Sequence, residues 1–149
     1  LLIPDMKSAE KFCRDISSMA YTLAEKFWPG PLTMIFKKSS TVPDIVTAGG
    51  KTVGVRCPDH KKTLSLLRLC GVPLATPSAN ISGMPSPKTL GDVLAYFDGK
   101  IEAAVDGGKC RVGVESTILD MTVSPPRILR RGGLKKADID AVLGLEVSI

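Results

Sequence analysis

The sequence has one histidine, His60, and none of the paired cysteine spacings that hold zinc. Its four cysteines, Cys13, Cys57, Cys70 and Cys110, are scattered and form no C-x-x-C pair. A structural zinc site needs four Cys or His ligands at paired spacing, so no metal site is expected. Scattered cysteines in apolar settings read as reduced thiols, and the expected location is cytoplasmic. A single histidine leaves one base for a Ser-His-Asp hydrolase, and no G-x-S-x-G is present. G-x-x-x-x-G-K-[ST] and G-x-G-x-x-G are missing too, so any bound nucleotide is held without either common phosphate loop. The charge-free run from Leu69 to Pro87 contains four prolines, which would break a membrane-spanning helix. No membrane partner is expected. The opening "LLIPD" lacks the basic start of a signal peptide, and Asp5, Lys7 and Glu10 follow too soon for one.

What is present is an ordinary globular composition. The chain has 149 residues, 44% hydrophobic and 23% charged, enough for one domain with its own core. The net charge of +5 favours an anionic partner such as a nucleotide, RNA or pyrophosphate. A basic, soluble surface accounts for it equally well. The apolar triplet Leu1–Ile3 reads as the inside of a strand, with parent residues ahead of it.

Elements are set by periodicity and breakers. Ser8 is the expected cap of a short helix over residues 8 to about 15. "SSMAYTLAEKFWPG" is a second helix, with Met19, Leu23, Ala24 and Phe27 at helical spacing and Pro29-Gly30-Pro31 as its stop. Strands are expected at 32–38 and 52–58, and a loop with at most one helical turn between them. Residues 61–70 form a helix with Leu64 and Leu67 on one face. "VPLAT" reads as a short buried strand. Thr89 caps a helix closed by Gly99, and "AAVDGG" is a strand and turn. "ESTILDMT" and "RILRRGG" are strands joined at Ser124-Pro125-Pro126, and "KKADIDAVLG" is a closing helix. The mixture without clean βα alternation predicts an α/β (α+β-like) fold: a twisted mixed sheet flanked by helices.

Four clusters could carry chemistry. In "TVGVRCPDH", Thr52, Gly54 and Arg56 share one face of a strand, and Arg56 suits a carboxylate or phosphate; an Arg56–Asp59 surface pair is the plainer reading. The charge-free run offers Thr76, Ser78, Asn80, Ser82 and Ser86 in a proline-stiffened loop, able to cradle a polar ligand or simply capped by its own serines. "GVESTILD" places Glu115, Ser116 and Thr117 at a strand start soon after Gly113. "RILRRGGLKK" is either a solvated basic face or a phosphate grip by Arg130 and Arg131 beside Gly132-Gly133. His60 is a further possible site residue.

Taken in order, "KFWPGPLTMIF", "TVGVRCPDH", "ATPSANISGMPSP", "DGGKCRVGVESTILD" and "PRILRRGG" resemble the motifs of the YrdC family over residues 20–134. That family comprises threonylcarbamoyl-adenylate synthases. The resemblance implies a YrdC-like sheet around a basic concave cavity. It implies a nucleotidyltransferase of tRNA modification that makes threonylcarbamoyl-AMP and pyrophosphate from L-threonine, bicarbonate or CO2, and ATP with Mg2+. A downstream transferase then delivers the group to tRNA. The resemblance assigns threonine contacts to Arg56, Thr76 and Ser116. It assigns ATP contacts to Thr52, Ser78, Ser86 and Arg130, with Asn80 and His60 as possible additions. No protein nucleophile is implied. Arg131 stands where the family usually has proline. The family's N-terminal strand-helix-strand segment, with its "PT-x-T-x-YG" and "K-x-R" motifs, is not in these residues. The expected unit is therefore one YrdC-like domain over 1–149 lacking that segment, inactive or weak by itself. The alternative is a nucleotide- or double-stranded-RNA-binding module of the same fold without catalysis. The related carbamoyl-adenylate domain of hydrogenase maturation proteins is disfavoured, because the zinc-finger-like cysteine motifs found with it are missing.

Overall fold

A computed structural model describes residues 1–110 and 115–149. The chain divides into two compact units, Leu1–Ala75 with Val114–Ile149, and Thr76–Gly113. The stretch Arg111–Val114 of the fourth motif, with Gly113, lies outside the described residues.

The larger unit is a five-stranded mixed sheet with helices on one face. Its elements are α1 (Met6–Ala9), β1 (Cys13–Arg14), α2 (Ser18–Phe27), β2 (Leu32–Lys38), a 3-10 turn at Asp44–Thr47, β3 (Thr52–Val55) and α3 (Lys61–Cys70). After the second unit come β4, Thr117–Asp120, and β5, Arg127–Arg130. A closing helix, Lys136–Leu143, completes the unit. The second unit contributes the helix Leu90–Phe97. In chain order we call Leu90–Phe97 α4 and Lys136–Leu143 α5.

β2 is the hub. It pairs antiparallel with β3, from Met34↔Val55 to Lys37↔Thr52, and with β1 at Lys37↔Arg14. It pairs parallel with β4 from Leu32↔Thr117 to Ile35↔Asp120, and β4 pairs antiparallel with β5. Leu1–Ile3 runs beside the end of β3: Arg56 N–H donates to Leu1 O (3.0 Å) and Ile3 N–H to Arg56 O (3.0 Å). The triplet makes isolated bridges there, Leu2 with Arg56 and with Leu74, and is not itself a strand.

Alternation decides the two faces. Leu32, Met34 and Phe36 of β2, Val53 and Val55 of β3, Leu119 of β4 and Ile128 of β5 are buried. They pack on Ala20, Leu23 and Ala24, which fall at i, i+3 and i+4 of α2, and on Ile139 of α5. Each large side chain buried there contributes about 1.5–3 kcal/mol. The opposite face carries Thr33, Ile35, Gly54, Arg56 and Ile118, all half-buried. α3 buries Leu64 and Leu67 with Cys57, and Gly71 closes it in the left-handed conformation at φ +67°.

Several expectations need correction. The first helix starts at Met6, not Ser8, because Asp5 Oδ1 accepts both the Ser8 N–H and its hydroxyl. Residues 13–14 leave the helix to pair with β2. The second expected strand stops at Val55, three residues early. "VPLAT" is no buried strand: Leu74 makes a single bridge to Leu2, and Val72, Ala75 and Thr76 are exposed. "AAVDGG" holds no strand; Gly108 turns at φ +81° with its N–H donating to Asp106 Oδ1 (2.8 Å). The helices at 18–27 and 61–70 and the strand at 32–38 lie where periodicity puts them.

One buried hydroxyl ties the sheet to the segment that leads into α5. Thr117 Oγ1 donates to Leu134 O (2.7 Å) and accepts from Leu134 N–H (3.1 Å), and Thr117 is fully buried. Thr117→Val leaves both Leu134 groups without that partner, and urea denaturation should show a loss of about 1–3 kcal/mol. Full wild-type stability would refute this tie. A second link is ionic. Asp140 accepts from Lys136 (2.7 Å) and from Val147 N–H (2.8 Å), and these bonds, Lys136 first, hold its carboxyl below the ordinary value. A depressed carboxyl stabilises the fold above its unfolded pKa, about 3.9, and that contribution fades as pH falls through the folded value. Asp140→Asn should therefore lower Tm at pH 7 and do so less at pH 3.

Candidate functional site

Four chain corners meet at one end of the sheet in the larger unit. Gly30, between Pro29 and Pro31, donates its N–H to Cys57 O (2.9 Å), while its carbonyl accepts Arg56 Nε–H (2.8 Å). Pro31 O accepts the Thr117 N–H (2.9 Å), and Glu115 O accepts the Gly133 N–H (2.9 Å). The approach at Gly132 is closest: a Cβ there would lie 2.3 Å from Glu115 O, 2.4 Å from Ser116 C and 2.5 Å from Thr117 N. Backbone cannot rotate aside as a side chain can, so glycine is required. "WPGP", "VRCP", "EST" and "RRGG" are thus stitched together by main chain.

The polar side chains of these corners stand on the half-buried sheet face. β3 alternates as expected: Thr52, Gly54 and Arg56 are exposed or half-buried, and Val53, Val55 and Cys57 are buried. Arg56 is fixed through Nε, and among the described residues its guanidinium has no carboxylate partner. Asp59 is not its pair. Burial, then the neighbouring Arg130, pull the Arg56 pKa below its ordinary value. Arginine stays protonated regardless, so Arg56 keeps its positive charge beside Arg130.

Arg130 is held tightly. Nε and Nη2 donate to Ser116 O (3.1 and 2.9 Å), Nη2 also to Ser116 Oγ (3.1 Å), and Nη1 pairs with Glu115 Oε2 (2.5 Å). Ser116 is buried, and its Oγ lies 2.8 Å from Thr33 Oγ1. Two guanidiniums, two touching hydroxyls and one carboxylate make a site suited to an anion. Among the described residues no cluster of His, Cys, Asp and Glu could hold a metal ion.

The remaining candidates divide. Thr52 is exposed on the same strand face, at the far end of β3 from Arg56. His60 is used as a helix cap: its Nδ1 accepts the Thr63 N–H (3.3 Å) and lies 2.8 Å from Thr63 Oγ1. Thr76, Ser78, Asn80 and Ser86 belong to the second unit, where no described residue is buried. Ser78 and Ser86 are exposed. Asn80 staples its own loop, donating Nδ2–H to Ile81 O (3.1 Å) and Met84 O (2.7 Å) across the turn at Gly83. Its Oδ1 is buried with no partner among the described residues. The next helix, α4, opens on the reciprocal Thr89–Asp92 capping box. A separate cleft of about 440 Å³ lies on the helical side of the larger unit, by Met6, Tyr21 and Trp28. It contains none of the expected site residues.

A family model described as "Sua5_yciO_yrdC: Telomere recombination" matches residues 1–132. The chain belongs to the Sua5/YciO/YrdC family. Threonylcarbamoyl-AMP synthase of Pyrococcus abyssi is 47% identical over 142 residues, 95% of this chain and 42% of the relative. That of Bacillus subtilis is 44% identical over 143 residues, 95% of this chain and 41% of the relative. The solved structure of Pyrococcus abyssi Sua5 complexed with L-threonine superimposes with a TM-score of 0.95 and 47% identity, covering 99% of this chain and 43% of that one. The chain thus spans about two-fifths of the length of these relatives.

Within this family fold, Thr33 is the site residue that sequence reading passed over. "LTMIF" is apolar apart from Thr33, and strand alternation sets it opposite Leu32, Met34 and Phe36. A lone hydroxyl on the face of a hub strand opposite the core was the available signal.

Gly132→Ala should destabilise the protein by about 1–3 kcal/mol or more, because its Cβ meets three backbone atoms. Gly91→Ala, whose Cβ would find only Thr89 Oγ1 at 3.7 Å inside α4, should be neutral or slightly stabilising. Equal Tm values for the two variants would count against the close approach at Gly132.

Proposed function

We propose that this chain forms part of a threonylcarbamoyl-AMP synthase, with L-threonine, bicarbonate or CO2, and ATP as substrates. The observation that carries the reading is Arg56. It is a half-buried guanidinium without a carboxylate partner among the described residues, beside a second arginine. The fold is shared with a relative solved in complex with L-threonine. In this reading Arg56 holds the threonine carboxylate, with Ser116 and Thr76 as further threonine contacts. Thr52, Ser78, Ser86 and Arg130 contact ATP. Asn80 and His60 serve the loop and the helix start described above.

The chemistry asks for this kind of surface. Threonine carbamate attacks the α-phosphate of ATP; a new P–O bond forms and pyrophosphate leaves with the bond electrons. The nucleophile comes from the substrate, so the protein's task is to bring two anions together and neutralise charge on the leaving group. Arginines and neutral hydroxyls do both. Mg2+ accompanies the phosphates in this proposal. The product passes to a downstream transferase acting on tRNA in the cytoplasm.

The test is calorimetric titration of the intact protein with L-threonine and then ATP, together with pyrophosphate release dependent on threonine, bicarbonate and ATP. Arg56→Ala should weaken L-threonine binding by more than roughly 1 kcal/mol, as for a lost charge-assisted bond. Unchanged affinity would reject the role of Arg56. No threonine binding by wild type, with tight salt-sensitive binding of double-stranded RNA, would favour a binding module instead.

A further inference from the structure

The Ser116 hydroxyl has more neighbours than a ligand contact needs. It is buried, and Arg130 Nη2 donates to its oxygen at 3.1 Å. A guanidinium has no acceptor, so this bond fills one of the two lone pairs of Ser116 Oγ. Thr33 Oγ1 stands 2.8 Å away, from a strand 83 residues earlier in the chain. Among the described residues the Thr33 side chain has no other hydrogen-bond partner. Two touching hydroxyls carry two hydrogens. One lies between the oxygens, and the other is left to point away from the pair.

The surroundings hold Thr33 in place. Thr33 pairs with Ile118 in the parallel β2–β4 register, on the face that also carries Arg56 and Gly54. Its methyl lies 3.4 Å from where a Cβ of Gly54 would be, so β3 brackets it on one side and Ser116 on the other. When Thr33 donates to Ser116, both lone pairs of Ser116 are filled, one by Arg130 and one by Thr33. Ser116 can then act only as a donor. A donor is what a carboxylate ligand requires.

We propose that Thr33 is a positioning residue whose hydroxyl, 2.8 Å from Ser116, holds Ser116 as a hydrogen-bond donor toward the carboxylate that Arg56 grips. This deepens the proposed function and rests on it. Without Thr33, Ser116 regains a free lone pair and its hydrogen can rotate away from the ligand. Loss of the hydroxyl therefore weakens carboxylate binding although Thr33 need not touch the ligand.

The experiment is a double-mutant cycle on the intact protein, read by calorimetric titration with L-threonine. Thr33→Val keeps the methyl against Gly54 and removes the hydroxyl; it should weaken L-threonine binding about three- to tenfold. Thr33→Ser keeps the hydroxyl and should bind within about twofold of wild type. In a Ser116→Ala background, Thr33→Val should change affinity by less than about twofold, because its effect runs through Ser116. A purely structural Thr33 would give the same loss in both backgrounds. Additive losses, or a Thr33→Val protein with wild-type affinity, overturn the proposal while leaving the functional reading intact. Failure of wild type to bind L-threonine overturns the functional reading and this proposal together.

Discussion

The parallel pairing of β2 with β4, from Leu32↔Thr117 to Ile35↔Asp120, is the contact on which the arrangement depends. It begins at the Thr117 N–H on Pro31 O, directly after the Pro-Gly-Pro corner. The same corner anchors Arg56 through Gly30 O, and the same strand start receives Gly132 against its backbone. Parallel pairing joins segments far apart in sequence and needs a long crossover. Here it brings an early hydroxyl, Thr33, to a late one, Ser116. A one-residue slip would send Thr33 into the core and Leu32 or Met34 onto the site face.

Electrostatics and packing act together at this place. The core lies on one side of the sheet and leaves the other face half-buried; Arg56 stands on it by alternation, and a register shift in the β4–β5 pairing sets Arg130 opposite Ile118 on the same face. Desolvation by burial disfavours charge on Arg56, and the like charge of Arg130 adds to it; a bound anion offsets both. Arg130 has its carboxylate, Glu115, and Arg56 has none among the described residues. The difference leaves the Arg56 guanidinium as the less neutralised of the two. The main-chain stitching does not depend on the ligand, so the site is organised in advance.

Much of this was legible in the residues. Apolar periodicity located α2, α3 and β2, and the two-residue period set Thr52 and Arg56 on one face of β3. What misread was local competition. Asp5 outdid Ser8 as a cap, because its carboxylate reached both Ser8 groups. The apolar "VPLAT" and "AAVDGG" have strand-like composition but find no ladder partner, and a strand exists only through its neighbour. That His60 caps α3 through Thr63 was not read from the residues.

The sequence by itself determined α2, α3 and β2, the alternation of faces along β2 and β3, and the motifs that carry the family resemblance. These depend on spacings of two to four residues along the chain, which side-chain chemistry reports directly. Only the tertiary structure decided that Thr33 meets Ser116, that Glu115 and not Asp59 takes an arginine, and that Gly132 must be glycine. Those outcomes depend on which distant strands pair and in what register. Register is a property of the assembled sheet, and no local spacing encodes it.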